Sequence, residues 1–163
     1  MIIIPHTQIN SDHPLEYLLE VATKDEMQKI CKAFDLYISP NIKKAEMARR
    51  LAEDILENPL YVLSTLSKTE LQLVDEFVKG GPNYYAVREL RKTFYKLQKF
   101  YLILTYVDRL KGEWHMIMPD CVRDSLSQVY KPFLDMAKKG IKRPTPKEIR
   151  FMGFAYDLRE GNI

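Results

Sequence analysis

Cysteine is scarce in this 163-residue sequence, which contains only Cys31 and Cys121, far apart along the chain. Two isolated thiols give no disulfide framework and cannot form a structural zinc site by themselves. Each cysteine falls on the apolar side of a predicted helix. We therefore expect two buried, unreactive thiols in a protein of a reducing compartment, the cytoplasm.

Long apolar runs are also missing. The longest, residues 100–107, has the length of a strand and is far shorter than the roughly 20 residues that cross a bilayer. Residues 1–4 are apolar, but they lack a basic leader and are interrupted by Pro5, so they do not predict a signal peptide. The sequence therefore predicts no membrane segment.

The usual signatures of catalysis are absent too. There is no glycine-rich phosphate loop, no paired-histidine metal motif and no nucleophile elbow. His6, His13 and His115 have no spacing typical of metal ligands, and His115 alternates with apolar neighbours as an outward strand residue would. We predict a protein that is not an enzyme and uses no metal or cofactor. A small-molecule enzyme, which needs converging polar groups in a pocket, is the least favoured alternative.

Apolar residues and charge are both plentiful. The 46% hydrophobic content, with 10 Tyr, 7 Phe and 1 Trp, is enough for a packed core in one domain or two small ones. Residues 1–80 hold 9 Lys+Arg and 13 Asp+Glu, whereas residues 81–163 hold 16 and 9. This asymmetry indicates that an anionic partner would meet the C-terminal half, although ordinary scatter of solvated charge is the alternative.

Apolar spacing predicts a mainly α chain with one β-hairpin. Capping boxes at Thr23-Lys-Asp-Glu26, Ser67-Lys-Thr-Glu70 and Thr145-Pro-Lys-Glu148 mark three of the helix starts. Residues 1–13 are irregular or an edge strand, and Pro132 should kink or divide the helix that contains it. Asn58-Pro59 is the best boundary, so we predict one module at 1–58 and another at 59–163. Helices are predicted at 15–22, 23–34, 42–57, 60–66, 67–79, 84–99, 120–138 and 145–154, with hairpin strands at 102–107 and 114–118.

A family resemblance lies in residues 15–56, which are similar to SAP domains and to the N-terminal domain of transcription termination factor Rho. It is carried by Leu18-Leu19, Lys24-Asp-Glu-Met27, Ile30-Cys31, Phe34-Asp-Leu36, Lys43-Lys-Ala-Glu-Met47 and Leu51-Ala52. The resemblance implies a helix–extended loop–helix module whose loop and second helix start meet DNA or RNA. Carried onto this chain, it implies contacts from Asn41, Lys43 and Lys44. Asp35 stands where the SAP turn usually has glycine.

A second resemblance covers residues 67–119, which look like a winged helix with Lys111-Gly112 at the tip of the wing. The predicted helix 84–99 places five cations and two tyrosines opposite its core stripe, where they can neutralise phosphates and stack on bases. The alternative is that these long side chains cover apolar edges of a soluble helix. The residues of this face are Tyr85, Arg88, Arg91, Lys92, Tyr95, Lys96 and Lys99.

These observations favour a non-enzymatic nucleic-acid-binding protein that holds DNA or RNA mostly through backbone contacts. Its predicted contacts are Asn41, Lys43 and Lys44 from the first module, and the 84–99 face with Lys111 from the second. The alternative is a protein–protein interaction adaptor that binds a partner through a helical groove or an aromatic patch. The sequence leaves open DNA versus RNA, sequence preference and oligomeric state.

Overall fold

The computed structural model describes residues 1–5 and 10–159. Within them the chain is mainly helical, with a small four-stranded mixed sheet. His6, one of the three histidines without metal-ligand spacing, lies outside the described residues. In chain order the elements are β1 Ile2–Ile3, α1 Leu15–Leu19, α2 Lys24–Ala33, α3 Lys44–Glu57, α4 Pro59–Thr65, α5 Lys68–Gly80, β2 Tyr85–Glu89, α6 Lys96–Lys99, β3 Leu104–Asp108, β4 Glu113–Ile117, α7 Asp120–Ser127, α8 Tyr130–Lys138 and α9 Pro146–Arg159.

The first three helices lie where the sequence predicts them. Thr23 caps α2 by accepting a hydrogen bond from the Glu26 N–H (3.1 Å), and the Glu26 carboxylate accepts one from the Thr23 N–H (3.2 Å), so the predicted capping box is confirmed. Asp35 follows α2 in the left-handed conformation (φ 53°), which glycine adopts more readily than aspartate. An extended segment then leads to α3.

The predicted helix 84–99 is wrong. The segment forms β2, an exposed loop at 90–95 and the four-residue α6. Along β2 exposed side chains alternate with covered ones, which is the period of a strand: Ala86 is buried, whereas Val87 on the next position is 40% exposed. The same residues also satisfy a spacing of three and four, so periodicity alone did not separate the two structures.

The predicted hairpin is confirmed as β3 and β4, but it is half of a larger sheet. The strand order is β1-β3-β4-β2; β1 runs parallel to β3, and the other two pairings are antiparallel. The expectation of one hairpin therefore missed two strands: the two-residue β1, which the irregular or edge-strand alternative for residues 1–13 allowed, and β2.

The C-terminal part returns to the N-terminal helices. The helix predicted at 120–138 is divided into α7 and α8, and Pro132 lies in the first turn of α8, where no amide donor is needed. Arg143 donates to the Leu66 carbonyl (2.7 Å), and Arg150 forms an ion pair with Asp35 (3.4 Å). The buried apolar side chains form one cluster that draws on helices and strands from the whole chain.

Candidate nucleic-acid interface

The start of α3 is an uncapped, cationic helix end. Lys43 occupies the position before the helix in extended geometry and makes no side-chain cap, whereas Thr23 and Ser67 cap α2 and α5. Lys44 is the first helical residue. Both lysines are exposed, and within the described part of the chain neither has an ion-pair partner. The first N–H groups of a helix have no acceptor within the helix, and here no side chain at the cap position supplies one.

Electrostatics set these lysines apart from the other cations of α3. Arg49 and Arg50 both bind Glu46 (2.6 and 2.9 Å), and hydrogen bonds from these guanidinium groups lower the pKa of Glu46 to about 2. Their charges are therefore locally compensated. Lys43 and Lys44 instead add positive charge to the positive end of the helix macrodipole. This corner of the molecule favours an anion.

The loop before α3 is held in place by side chains of α2. The Gln28 amide donates to the Ile38 carbonyl (3.0 Å), and the Lys24 ammonium donates to the Ile42 carbonyl (2.6 Å). Tyr37 projects from this anchored loop with 84% of its surface exposed, and Asn41 is exposed beside the lysines. The sequence reasoning missed Tyr37. The signal that was available is its place between Leu36 and Ile38 in an extended segment, where neighbouring side chains point to opposite sides.

The second predicted surface does not form one helical face, because the helix that defined it is absent. Arg88 is bound to Glu76 of α5 (2.9 Å), and this hydrogen bond raises the pKa of Arg88 above its ordinary value. Tyr95 is buried, and the Lys96 ammonium donates to the Thr65 carbonyl (2.6 Å). These three residues contribute to packing as well as to any surface.

The remaining members of that set lie on the loop 90–95, at its neighbour α6, on the sheet, and at the hairpin tip. The Leu90 N–H donates to the Gly112 carbonyl (3.0 Å), which places the loop against the tip that carries Lys111. The Arg91 guanidinium lies 4.1 Å from the centre of the Tyr95 ring. Lys92, Lys99 and Lys111 are exposed, and Tyr85 is half exposed and stacks on His115.

A groove of about 420 Å³ runs beside this loop. It is lined by two arginines, a carboxylate, a leucine and the edge of an aromatic ring: Arg88, Arg91, Glu89, Leu90 and Tyr95. Its two guanidinium groups are donors that suit phosphate and carboxylate oxygens, whereas the Glu89 carboxylate opposes an anion there. The structure therefore has two separate cationic regions. One is the start of α3, as predicted; the other is the loop 90–95 with the hairpin tip at Lys111 (the loop–hairpin region), in place of the predicted helix face.

The two cysteines fit the prediction of low reactivity. Cys31 is buried, and burial raises its thiol pKa to about 11. Cys121 is partly buried, and burial raises its pKa as well. Thiolate is the reactive form, so a raised pKa makes both groups poor nucleophiles at neutral pH.

None of the helices in the described residues is long and apolar enough to cross a membrane. Comparison with protein-family models finds no match, and comparisons with curated proteins and with solved structures find none either.

Proposed function

We propose that this protein binds nucleic acid without catalysing a reaction, and that most of its contacts are to the phosphate backbone. The supporting observation is the start of α3, where Lys43 and Lys44 are exposed and no side chain caps the helix. A helix N-terminus favours anions because of its partial positive charge and its free donors. Lys43 and Lys44 strengthen that preference at the point where the SAP and Rho resemblance implies contact.

An exposed tyrosine on the loop that leads to α3 extends the proposal from phosphates to bases. Tyr37 lies on the same anchored loop as Asn41, four residues before it in the chain. Proteins that bind single-stranded nucleic acid combine aromatic rings with cations, since bases stack on the rings while phosphates meet the charges. The loop needs little ordering on binding, because Gln28 and Lys24 already hold its carbonyls.

The loop–hairpin region is proposed as a second contact. Arg91, Lys92 and Lys111 come together there because Leu90 is bound to Gly112. Contacts of this kind position a protein on a nucleic acid but do not read its sequence. The proposal therefore includes no sequence preference.

A fluorescence anisotropy titration with labelled single-stranded DNA, duplex DNA and RNA at two salt concentrations tests the proposal. Wild-type binding should weaken steeply as salt rises, because each neutralised phosphate releases counterions. Replacing both lysines, Lys43→Glu with Lys44→Glu, should reduce the logarithmic salt slope on duplex DNA by about two. The melting temperature should stay equal or rise, because acids suit the first turn of a helix.

The matched control is Lys138→Glu with Lys139→Glu, which removes an adjacent pair of exposed lysines at the opposite, C-terminal end of a helix. The charge change is identical, so a general electrostatic effect would weaken binding equally in both variants. We expect the control to retain the wild-type slope. Equal loss in the two variants, or no binding to any of the nucleic acids at low salt, would refute the proposal.

A protein–protein adaptor is the second candidate, and exposed apolar side chains favour it. Leu90, Phe94 and Leu110 are 42%, 40% and 100% exposed, and the Leu90–Gly112 hydrogen bond brings the loop and the hairpin tip together. Absence of nucleic-acid binding at low salt, together with capture of a partner that Leu110→Asp abolishes, would select the adaptor function.

A further inference from the structure

Three carboxylates lie in one row across the outer face of the sheet. Asp108 pairs in register with Glu113, and Glu113 pairs with Glu89 on its other side. The Leu90 N–H donates to the Gly112 carbonyl, so Leu90 and Gly112 form a hydrogen-bonded pair. Such pairs alternate along an antiparallel ladder, so between β2 and β4 they fall at even-numbered residues. Glu89 and Glu113 are therefore a non-hydrogen-bonded pair, the kind in which side chains approach most closely.

An imidazole lies on the same face, next to this row. His115 follows Glu113 by two residues, so its side chain points to the same side of β4. Its Nε2 is 3.2 Å from a carboxylate oxygen of Glu113, and the donor atoms of Asp108, Glu113 and His115 all lie within 4.8 Å of one another. The ring is held between Tyr85, which stacks on it at 5.3 Å, and Tyr106, which meets it edge-on at 5.6 Å.

Within the described residues, no lysine or arginine forms an ion pair with the row, although Arg88 and Arg91 line the neighbouring groove together with Glu89. Among the ion pairs of the described residues, Glu113 meets only His115, and neither Asp108 nor Glu89 meets a lysine or arginine. Asp108 accepts a backbone N–H from Lys111 (3.1 Å), which does not neutralise it. Like charges directly opposite one another destabilise a sheet. A bound cation would remove this repulsion and use an imidazole that is already oriented.

We propose that Asp108, Glu113 and His115 bind a divalent first-row transition ion such as Zn²⁺, with water in the remaining coordination position. One imidazole nitrogen with carboxylate oxygens is a donor set that suits zinc-like ions better than Ca²⁺ or Mg²⁺, which prefer oxygen alone. The donor atoms of the three side chains lie within 4.8 Å of one another, and they must draw closer to reach the metal–donor distances of about 2.0–2.2 Å. The proposal does not depend on nucleic-acid binding.

The test uses the whole chain with the metal alone. Isothermal titration with ZnCl₂ should show one ion per chain, and Co²⁺ should give a visible d–d absorption that Zn²⁺ displaces. Asp108→Asn and Glu113→Gln, which keep the shape of each side chain, should each weaken Zn²⁺ binding by about tenfold or more. Without metal, both variants should melt at a higher temperature than wild type, because the repulsion in the row is relieved.

His115→Ala should also weaken Zn²⁺ binding, and Glu57→Gln is the matched control because it removes an exposed carboxylate at the far end of α3. The control should bind Zn²⁺ as wild type does. No stoichiometric binding by wild type, or unchanged affinity in Asp108→Asn and Glu113→Gln, would overturn the proposal. Loss of binding in Cys121→Ser instead would assign the ion to a thiol and would overturn it equally.

Discussion

At the scale of single residues, Glu70 shows how one side chain joins two parts of the chain. Ser67 accepts a hydrogen bond from the Glu70 N–H (3.3 Å), which is half of the predicted capping box. The Glu70 carboxylate does not return to Ser67. It accepts the Lys96 and Leu97 N–H groups (3.1 and 3.2 Å), so it caps α6 from 26 residues away. Sequence spacing predicted the local partner because the distant one becomes visible only in the fold.

Glu70 should make stability depend on pH. Burial raises its pKa above the ordinary value, and this outweighs the two backbone hydrogen bonds that favour the ionised form. A carboxyl whose pKa is higher in the folded state contributes most below its unfolded pKa of about 4.3, and that contribution is lost as pH rises through the folded pKa. Glu70→Gln removes this titration. The stability of wild type relative to Glu70→Gln should therefore fall as pH rises from about 4 to about 7.

Urea unfolding of both proteins across that pH range measures the difference. The other titrating groups are common to both chains and cancel in the comparison. A constant difference in the free energy of unfolding between the two proteins reports the weaker capping by the amide. Only the change of this difference with pH tests the predicted pKa shift of Glu70. A wild-type advantage that grows with pH would mean that the hydrogen bonds lower the pKa of Glu70 and would contradict the prediction.

At the scale of elements, most helices follow from local signals, and the segment 84–99 does not. The capping box at the start of α2 and the end of α3 before Asn58-Pro59 depend on residues close in sequence, and the structure has both features. In 84–99 an apolar spacing of three and four coexists with strand alternation. The choice is made by β4, whose residues pair with those of β2 from 24 to 32 positions later (Glu89 with Glu113, Tyr85 with Ile117). No window of the sequence contains that partner.

Proline substitution distinguishes an edge strand from a helix in this segment. Ala86 faces Met116 in a hydrogen-bonded pair, whereas the Val87 N–H points away from β4. Ala86→Pro should lower the free energy of unfolding by at least about 1–3 kcal/mol, because it leaves a buried acceptor unpaired. Val87→Pro should cost much less, since proline is tolerated on an edge strand. In a helix both would be severe.

The measurement is urea unfolding of both variants beside Ala86→Gly and Val87→Ala, which alter the side chain but retain the N–H. The comparison isolates the loss of the donor at each position. Equal destabilisation by the two prolines would contradict the strand register. It would also remove the basis for pairing Glu89 with Glu113, so this experiment bears on the proposed metal site as well.

At the scale of the whole molecule, the residues of the proposed metal site are brought together by strand register rather than by sequence spacing. Lys43 and Lys44 were predictable, because their position at a helix start is local. Arg88 was predicted as a free cation, but Glu76 binds it. The carboxylates of Glu89, Asp108 and Glu113 are spread over 25 residues of sequence, and nothing in that spacing indicates a cluster. The histidine spacing likewise gave no ligand set, since the other donors are carboxylates: Glu113 on the same strand and Asp108 on the neighbouring one.

If the predicted division at residue 58 separates two domains, the two parts should unfold independently. The buried side chains form one cluster across that boundary, and the Ser125 hydroxyl donates to the Leu56 carbonyl (2.7 Å). Arg150 of α9 also reaches back to Asp35. Contacts of this kind couple the two parts in unfolding, because neither can open without exposing the apolar surface of the other.

We therefore expect one cooperative transition. Trp114, the single tryptophan, lies buried in the sheet and reports the second part by fluorescence, while far-UV circular dichroism reports the helices of both parts. The two probes should give coincident urea curves. Leu51→Ala leaves a cavity beside α3 and should lower the free energy of unfolding by about 2–5 kcal/mol. It should shift both unfolding curves together, although Trp114 lies on the other side of the predicted boundary. A shift seen by circular dichroism with an unmoved Trp114 curve would instead establish two independent domains.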